Sequence, residues 1–253
     1  GFSFGIALLS PDQLSKLSEA MKKITQDRCR SFALPPYMTP LQLAAFYGDA
    51  NLCHFVLDQA NNKEVKKKVA DSRIYGAVGA LGVFEGHNGQ GVDAFALAVF
   101  EGHNEVVKVF LEHECVDPIL PHSVTRNFCS RGSNTFVLKT SCKQLGPPLC
   151  IAVMQGHEDV VRTLVGHGAD ANKKASVGDG GGCCCGACPL IALAVEHNDD
   201  EAIVKLLIKH NAIVNVPCPG GTALDLAMHK NDVNPKMAAA LERAGARSAN
   251  KKC

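Results

Sequence analysis

The sequence predicts an all-α fold made of stacked helix–turn–helix units, and three observations predict it. First, one eleven-residue pattern recurs five times. It reads Thr39-Pro-Leu-Gln-Leu-Ala-Ala-Phe-Tyr-Gly48-Asp, Asp93-Ala-Phe-Ala-Leu-Ala-Val-Phe-Glu-Gly102-His and Pro147-Pro-Leu-Cys-Ile-Ala-Val-Met-Gln-Gly156-His. The last two copies are Pro189-Leu-Ile-Ala-Leu-Ala-Val-Glu-His-Asn198-Asp and Thr222-Ala-Leu-Asp-Leu-Ala-Met-His-Lys-Asn231-Asp. Second, apolar segments at helical spacing follow three of the copies: Val106 to Leu111, Val160 to Val165 and Ile203 to Ile208. Third, the second leucine of the pattern falls at Leu43, Leu97, Ile151, Leu193 and Leu226, in steps of 54, 54, 42 and 33. One helix pair cannot bury its apolar face alone, so a repeat of this length folds by stacking on its neighbours.

Each pattern residue has a physical task. Thr-Pro at the start supplies an N-cap and a proline where no amide donor is needed. The Leu-x-x-x-Ala spacing lets two short helices approach closely. Gly48, Gly102 and Gly156, and Asn198 and Asn231 in the later copies, are expected to end the first helix in the left-handed conformation. The second helix closes on Gly168-Ala-Asp-Ala-Asn172, and more loosely on Asn211-Ala-Ile-Val-Asn215. Together these residues resemble the ankyrin repeat, whose unit reads T-P-L-H-L-A-A-x-x-G-H followed by an apolar second helix.

The resemblance spans residues 39–253 and implies an ankyrin-repeat solenoid with repeats starting near 39, 93, 147, 189 and 222. Against a family unit of about 33 residues, the steps carry an excess of about 21, 21, 9 and 0. The extra residues fall near 60–92, 115–146 and 173–187, after a second helix and before the next start. Ankyrin repeats carry β-turn fingers at that point, so the insertions are expected on one side, where loops more often bind than ornament.

Residues 1–38 form a separate N-terminal segment. Within it, 10–27 read as a capping helix: Ser10 caps, Pro11 takes the first position, and Leu14, Leu17, Met21 and Ile24 follow at helical spacing. The apolar opening Gly1 to Leu9 lacks a basic leader, so a targeting peptide is not the favoured reading. At the far end, Met237 to Gly245 close the fifth repeat and Ser248 to Cys253 read as a mobile tail. The first insertion holds a run of lysines (Lys63, Lys66, Lys67, Lys68), read as a solvated face. It also holds a duplicate, because Ala80 to Asn88 repeat Ala96 to Asn104 with Gly82 in place of Ala98. That predicts two copies of a first helix competing for one slot. In the second insertion, Asn127 to Ser130 and Thr135 to Lys139 flank Arg131-Gly-Ser-Asn134 as a hairpin.

Composition excludes several function classes. Among 253 residues, 26 basic and 25 acidic side chains leave a net charge of +1, so no global field draws nucleic acid or a membrane surface. Tryptophan is absent and aromatics make up 6%, too few for a base-stacking surface. No apolar run is long enough to span a bilayer. Twelve cysteines in a chain with a full-sized core point to an intracellular reducing compartment, cytoplasmic or nuclear, rather than a disulfide scaffold.

The chemistry-bearing residues are few. Cys185-Gly-Ala-Cys188 has the spacing at which two thiolates reach one zinc ion, but no second pair follows. The glycines before it lack the Gly-Lys-Ser/Thr ending of a phosphate loop. His103 and His157 stand at the pattern's Gly-His position, where the resemblance implies a structural hydrogen bond between units. His113, His167 and His210 end second helices, where a cation suits the dipole. No Ser–His–acid set or carboxylate pair stands out, so neither catalysis nor a cofactor is expected.

The resemblance implies binding of another protein, as an adaptor, scaffold or inhibitory subunit, with no small-molecule substrate and no nucleic acid. Phe46, Tyr47, Phe100 and Met154 on the concave face are the expected anchors, with Arg126, Arg131 and Lys139 in the second finger as electrostatic guides. A second reading is a structural subunit whose apolar Ile74 to Phe84 finger is wedged between neighbours. A third, a zinc or redox sensor, rests on the cysteine cluster.

Overall fold

The computed structural model of the chain describes residues 12, 15–16, 18–19, 22, 39–60, 62–71, 77–79, 82–85, 93–116, 122–127, 129–130, 137–138, 144–177, 187–198, 200–218, 221–229 and 235–249. They fall in two compact units, Gly1–Asp117 with Ser123–Ser141, and Pro118–His122 with Cys142–Cys253.

In the first unit, α1 (Pro40–Tyr47) and α2 (Ala50–Asp58) form one helix pair, and α4 (Ala94–Glu101) and α5 (Asn104–Glu112) form the next; α3 (Lys63–Ala70) lies between them in sequence. First helix packs on first helix and second on second. The chemistry of the caps explains the starts. Thr39 accepts from the Gln42 amide while the Gln42 side chain accepts from the Thr39 amide, a capping box, with Pro40 at the first position. Asp93 caps α4 by accepting from the Ala96 amide at 2.8 Å, without the return bond of a capping box, since Ala96 has no side chain to make it. First helices are buried nearly all round: every residue from Ala94 to Phe100 is inside. Alanines at 44, 45, 96 and 98 are fully covered, which brings the backbones close, and the Phe95 and Phe110 rings meet edge-on at 5.7 Å. The second helix α5 buries one stripe only, Val106, Val107, Val109, Phe110 and Leu111.

The second unit holds three further pairs: α6 (Pro148–Gln155) with α7 (Glu158–Gly166), α8 (Leu190–His197) with α9 (Ala202–Lys209), and α10 (Ala223–His229) with α11 (Pro235–Arg243). Their stacking follows the same rule. Pro147 and Pro189 stand at the N-caps of α6 and α8 and give no side-chain cap.

Short strands occupy the insertions. β1 (Ala77–Gly79) and β2 (Gly82–Glu85) form an antiparallel hairpin, and β2 also pairs with β3 (His122–Asn127), Phe84 opposite Arg126. In the second insertion β4 (Cys129–Ser130) pairs with β5 (Val137–Leu138), Cys129 opposite Leu138. In the second unit β7 (Lys174–Val177) lies between β6 (Gln144–Gly146) and β8 (Ala187–Pro189).

Three expectations change. The duplicate does not compete as a helix: Val83-Phe-Glu85 is strand, whereas the same tripeptide at Val99 to Glu101 is helix. The copy has Ala77 where the parent has the Asp93 cap and Gly79 where it has the buried Phe95, so it lacks both the start signal and the core anchor. Asn198 is extended (φ −116°, ψ 141°), not left-handed. Its side-chain amide donates to the Ala194 carbonyl of its own helix at 3.0 Å, so the terminal carbonyl is satisfied without a left-handed backbone. Finally, Ser248 and Ala249 are anchored rather than loose, as described below, while 250–253 lie outside the described residues. So do most of 1–38, although Asp12, Lys16 and their described neighbours are helical and that pair lies 3.4 Å apart.

Candidate recognition surface

In each unit, taken by itself, a candidate surface is set by the last turns of its first helices. Two residues before the pattern's Gly or Asn position stand Phe46 and Phe100 in the first unit, and Met154, Glu196 and His229 in the second; Asn231, the last of those positions, lies outside the described residues. The scaffold around them repeats; these five side chains do not. Phe46 and Phe100 are each 8% exposed and Met154 7%, so these anticipated anchors sit in the packing and offer little more than an edge. Tyr47 is half-buried, its ring edge-on to Phe46 at 5.0 Å. Sequence reasoning passed over Glu196 and His229, although the register of the pattern gives them the equivalent position in their copies. Glu196 is half-buried with Oε2 covered and without a hydrogen-bond partner among the described residues. The exposed His229 has Nδ1 2.6 Å from the Asp225 carbonyl, which can only accept, so Nδ1 carries the proton. Its neighbour Met228 is 43% exposed.

Three devices, one in the first unit and two in the second, hold these last turns in place. In the first unit, His103 Nε2 donates to the Phe46 carbonyl at 2.9 Å, the inter-repeat bond anticipated at this position. In the second, Asn198 Nδ2 donates to the Val153 carbonyl at 2.9 Å, so an amide at the pattern's Gly position does the work of the missing histidine. Asp225 anchors the last repeat. It is 1% exposed, and it accepts from the Thr222 amide (2.8 Å), the Ala249 amide (2.9 Å) and the Ser248 hydroxyl (2.5 Å). Burial alone would raise its pKa; the hydrogen bonds from Ser248, Thr222 and Ala249 outweigh that and bring it down to about 2.

Of the basic guides, Arg126 lies on β3 opposite Phe84, while Arg131 and Lys139 lie outside the described residues. Cys185 also lies outside them; Cys188 is fully buried on β8, opposite Ala175. Burial raises the thiol pKa of Cys53, of Cys115 (to about 11) and of Cys150 (to about 12). Cys218 is raised as well, by burial and then by the neighbouring Cys188, Glu196 and Asp225. At Cys53, Cys115 and Cys150, burial and a raised pKa together disfavour the reactive thiolate. Among the described residues no group of three His, Cys, Asp or Glu side chains is arranged to hold a metal ion, and no helix is long and apolar enough to cross a membrane.

The helix-ending histidines behave unevenly. His113, His167 and His210 do stand at the C-caps of α5, α7 and α9. His113, however, is not the cation expected there, because burial and then Lys66 lower its pKa.

No curated protein matches the chain closely enough to count as a relative. The family model for ankyrin repeats (3 copies) matches residues 84–175 and 149–247. That is more than half of the chain, and it agrees with the helix pairs, capping residues and helix-ending glycines seen in both units: the chain belongs to the ankyrin repeat family.

Proposed function

We propose that this chain, built of repeats that are in general protein–protein interaction modules, is a non-catalytic one: an adaptor, scaffold or inhibitory subunit that binds a protein through the last turns of its first helices and its strand-bearing insertions. The observation that carries the reading is the contrast within the repeat. Leu, Ala and helix-ending positions recur from copy to copy, whereas the row Phe46, Phe100, Met154, Glu196 and His229 changes at every step but the first. Phe46, Phe100 and Met154 are largely spent on packing, so the part of these last turns open to a partner is Glu196 and His229 with the edges of the other three, and a mixed polar and apolar surface of that kind is suited to a specific partner. Tyr47 belongs to the same surface, with Arg126, Arg131 and Lys139 as guides. Buried, protonated thiols fit the reducing intracellular compartment of this reading.

The test compares the intact chain with one in which 115–146 is replaced by a short turn, after circular dichroism has shown equal helicity. Loss of a captured partner from the variant alone makes that insertion a recognition element. Identical partners for both chains remove it from the proposal and leave the helix row, to be tested by Glu196→Met and His229→Ala.

A second reading, a structural subunit of a larger assembly, draws on β1. Among the described pairings Ala77–Gly79 bonds to β2 only, and the apolar, glycine-rich stretch from Ile74 to Phe84 bears no charge apart from its chain neighbours. Sedimentation equilibrium separates the two: a well-behaved monomer favours the adaptor, and a concentration-dependent oligomer favours the subunit.

A further inference from the structure

The helix α3 is built from the lysine-rich run of the first insertion, and a solvated face accounts for only part of it. Lys66 is half-buried, and its ammonium lies 2.8 Å from His113 Nδ1. On its other side His113 Nε2 lies 3.1 Å from His54 Nδ1, the two rings edge-on with centroids 5.3 Å apart. The protons in this chain can be assigned by elimination. An ammonium only donates, so His113 Nδ1 accepts and the ring proton sits on Nε2. That proton is donated to His54 Nδ1, which leaves the His54 proton on Nε2. The arrangement closes only while both rings are neutral.

We infer that His113 is a pH-sensitive latch that holds α3 against α2 and α5 when neutral and releases it when protonated. Protonation places N–H on Nδ1, where it faces the Lys66 ammonium, and removes the acceptor that Lys66 uses. The other groups around the ring do not reverse this. From α2, Asp58 favours the cation, but its carboxylate is 3.8 Å from Nε2 and its side chain is 62% exposed, so water screens it. Also from α2, His54 opposes the cation; from α5 itself Glu112 favours it, without direct contact. On the turn after α5, Glu114 is engaged by Lys63 of α3 at 2.5 Å, a pair exposed on both sides. Burial of the ring first, and then the direct 2.8 Å contact with Lys66, outweigh the screened and distant groups and hold the ring pKa below that of ordinary histidine.

The apolar hold on α3 is modest. Ala70 is buried, Val65 and Val69 are half-buried, and the rest of its described side chains are exposed apart from Lys66. Loss of the latch therefore loosens the whole helix. Because α3 begins the insertion that continues into β1 and β2, its release would free the root of that finger.

The experiment follows amide hydrogen exchange of 64–70 in the whole chain, corrected for intrinsic rate, at about pH 7.5 and about pH 5.5, on either side of the ordinary histidine pKa. Amides of α7 serve as the internal reference. Protection of 64–70 is expected to fall severalfold at the lower pH while α7 is unchanged. His113→Gln can still accept from Lys66 and donate to His54 but does not titrate, so its α3 protection is expected to be the same at both values. In Lys66→Met, the His113 ring titration followed by NMR is expected to move up toward the ordinary value. Unchanged protection of wild-type 64–70, a pH response that survives in His113→Gln, or a His113 titration indifferent to Lys66→Met would each overturn the latch.

Discussion

His103 Nε2 donates to the Phe46 carbonyl at 2.9 Å, and the same ring lies flush against Gly48, so the residue at the N-cap of α5 spends its side chain on the end of α1 and gives its own helix no side-chain cap. The bond crosses from one repeat to the next and satisfies a carbonyl in a last turn, where helices have no partners of their own. Replacing His103 with alanine removes the donor and leaves a gap over Gly48. The expected loss is about 1–3 kcal/mol, as for other buried acceptors left unpaired. Urea unfolding checks it. A loss within error of zero would mean that water replaces the imidazole freely.

Gly48 and Gly168 separate two reasons for which a position calls for glycine. Both have positive φ, +78° and +89°, so alanine is strained at either by about 1 kcal/mol. A Cβ at Gly168 meets nothing within 4 Å, whereas at Gly48 it would lie 2.6 Å from His103 Nδ1. Gly168→Ala should therefore show the backbone cost alone, and Gly48→Ala that cost plus displacement of the ring. In a His103→Ala background the excess at Gly48 should vanish. If the excess persists there, the ring is not its cause.

Asp225 gives the protein an acid limit. Its folded pKa of about 2 lies below the unfolded value of 3.8, so the unfolded state binds the extra proton between the two. Stability from this group is complete above the unfolded value, falls as pH drops through the interval, and is gone below about 2. Asp225→Asn should flatten that part of the curve and, because an amide nitrogen replaces one acceptor oxygen, cost about 1–3 kcal/mol at neutral pH. Ser248→Ala removes one donor only and should shift the acid limb upward by less. Thermal melts from neutral pH downward report both.

The fold could be read from the chain because the signals are local and repeated. Thr39, Pro40, Gln42 and Gly48 each act within a few residues of themselves, and the five copies place them without any long-range knowledge. What could not be read depends on who stands opposite. Val-Phe-Glu is helix at 99–101 and strand at 83–85, a choice made by Asp93 and Phe95 outside the tripeptide. Asn198 looks like a left-handed terminator until its amide finds the Val153 carbonyl 45 residues away. The Ser248 end looks like a free tail until Asp225 collects its donors. For the candidate surface, the register announces the row, but burial of Phe46, Phe100 and Met154 follows from packing between repeats, which no single copy contains.

Asn172 and Asn215 form a two-step chain of clamps along the second unit. Asn172 donates to the Asn211 carbonyl (3.1 Å) and accepts from the Ile213 amide (2.8 Å). Asn215 repeats the geometry one unit on, donating to the Gly245 carbonyl (2.9 Å) and accepting from the Arg247 amide (2.7 Å). Both side chains are exposed, so each substitution to alanine should cost only about 1–2 kcal/mol. The two are not independent. Asn172 fixes the turn at 211–213, and that turn delivers Asn215 two residues later, so loosening the first clamp leaves the second less to hold. The double variant is expected to lose less than the sum of the singles by about 0.5 kcal/mol or more, the range found for residues sharing a network. A urea-unfolding cycle measures that coupling. Strict additivity would show that the turn keeps its shape without Asn172, and that each repeat boundary is secured separately.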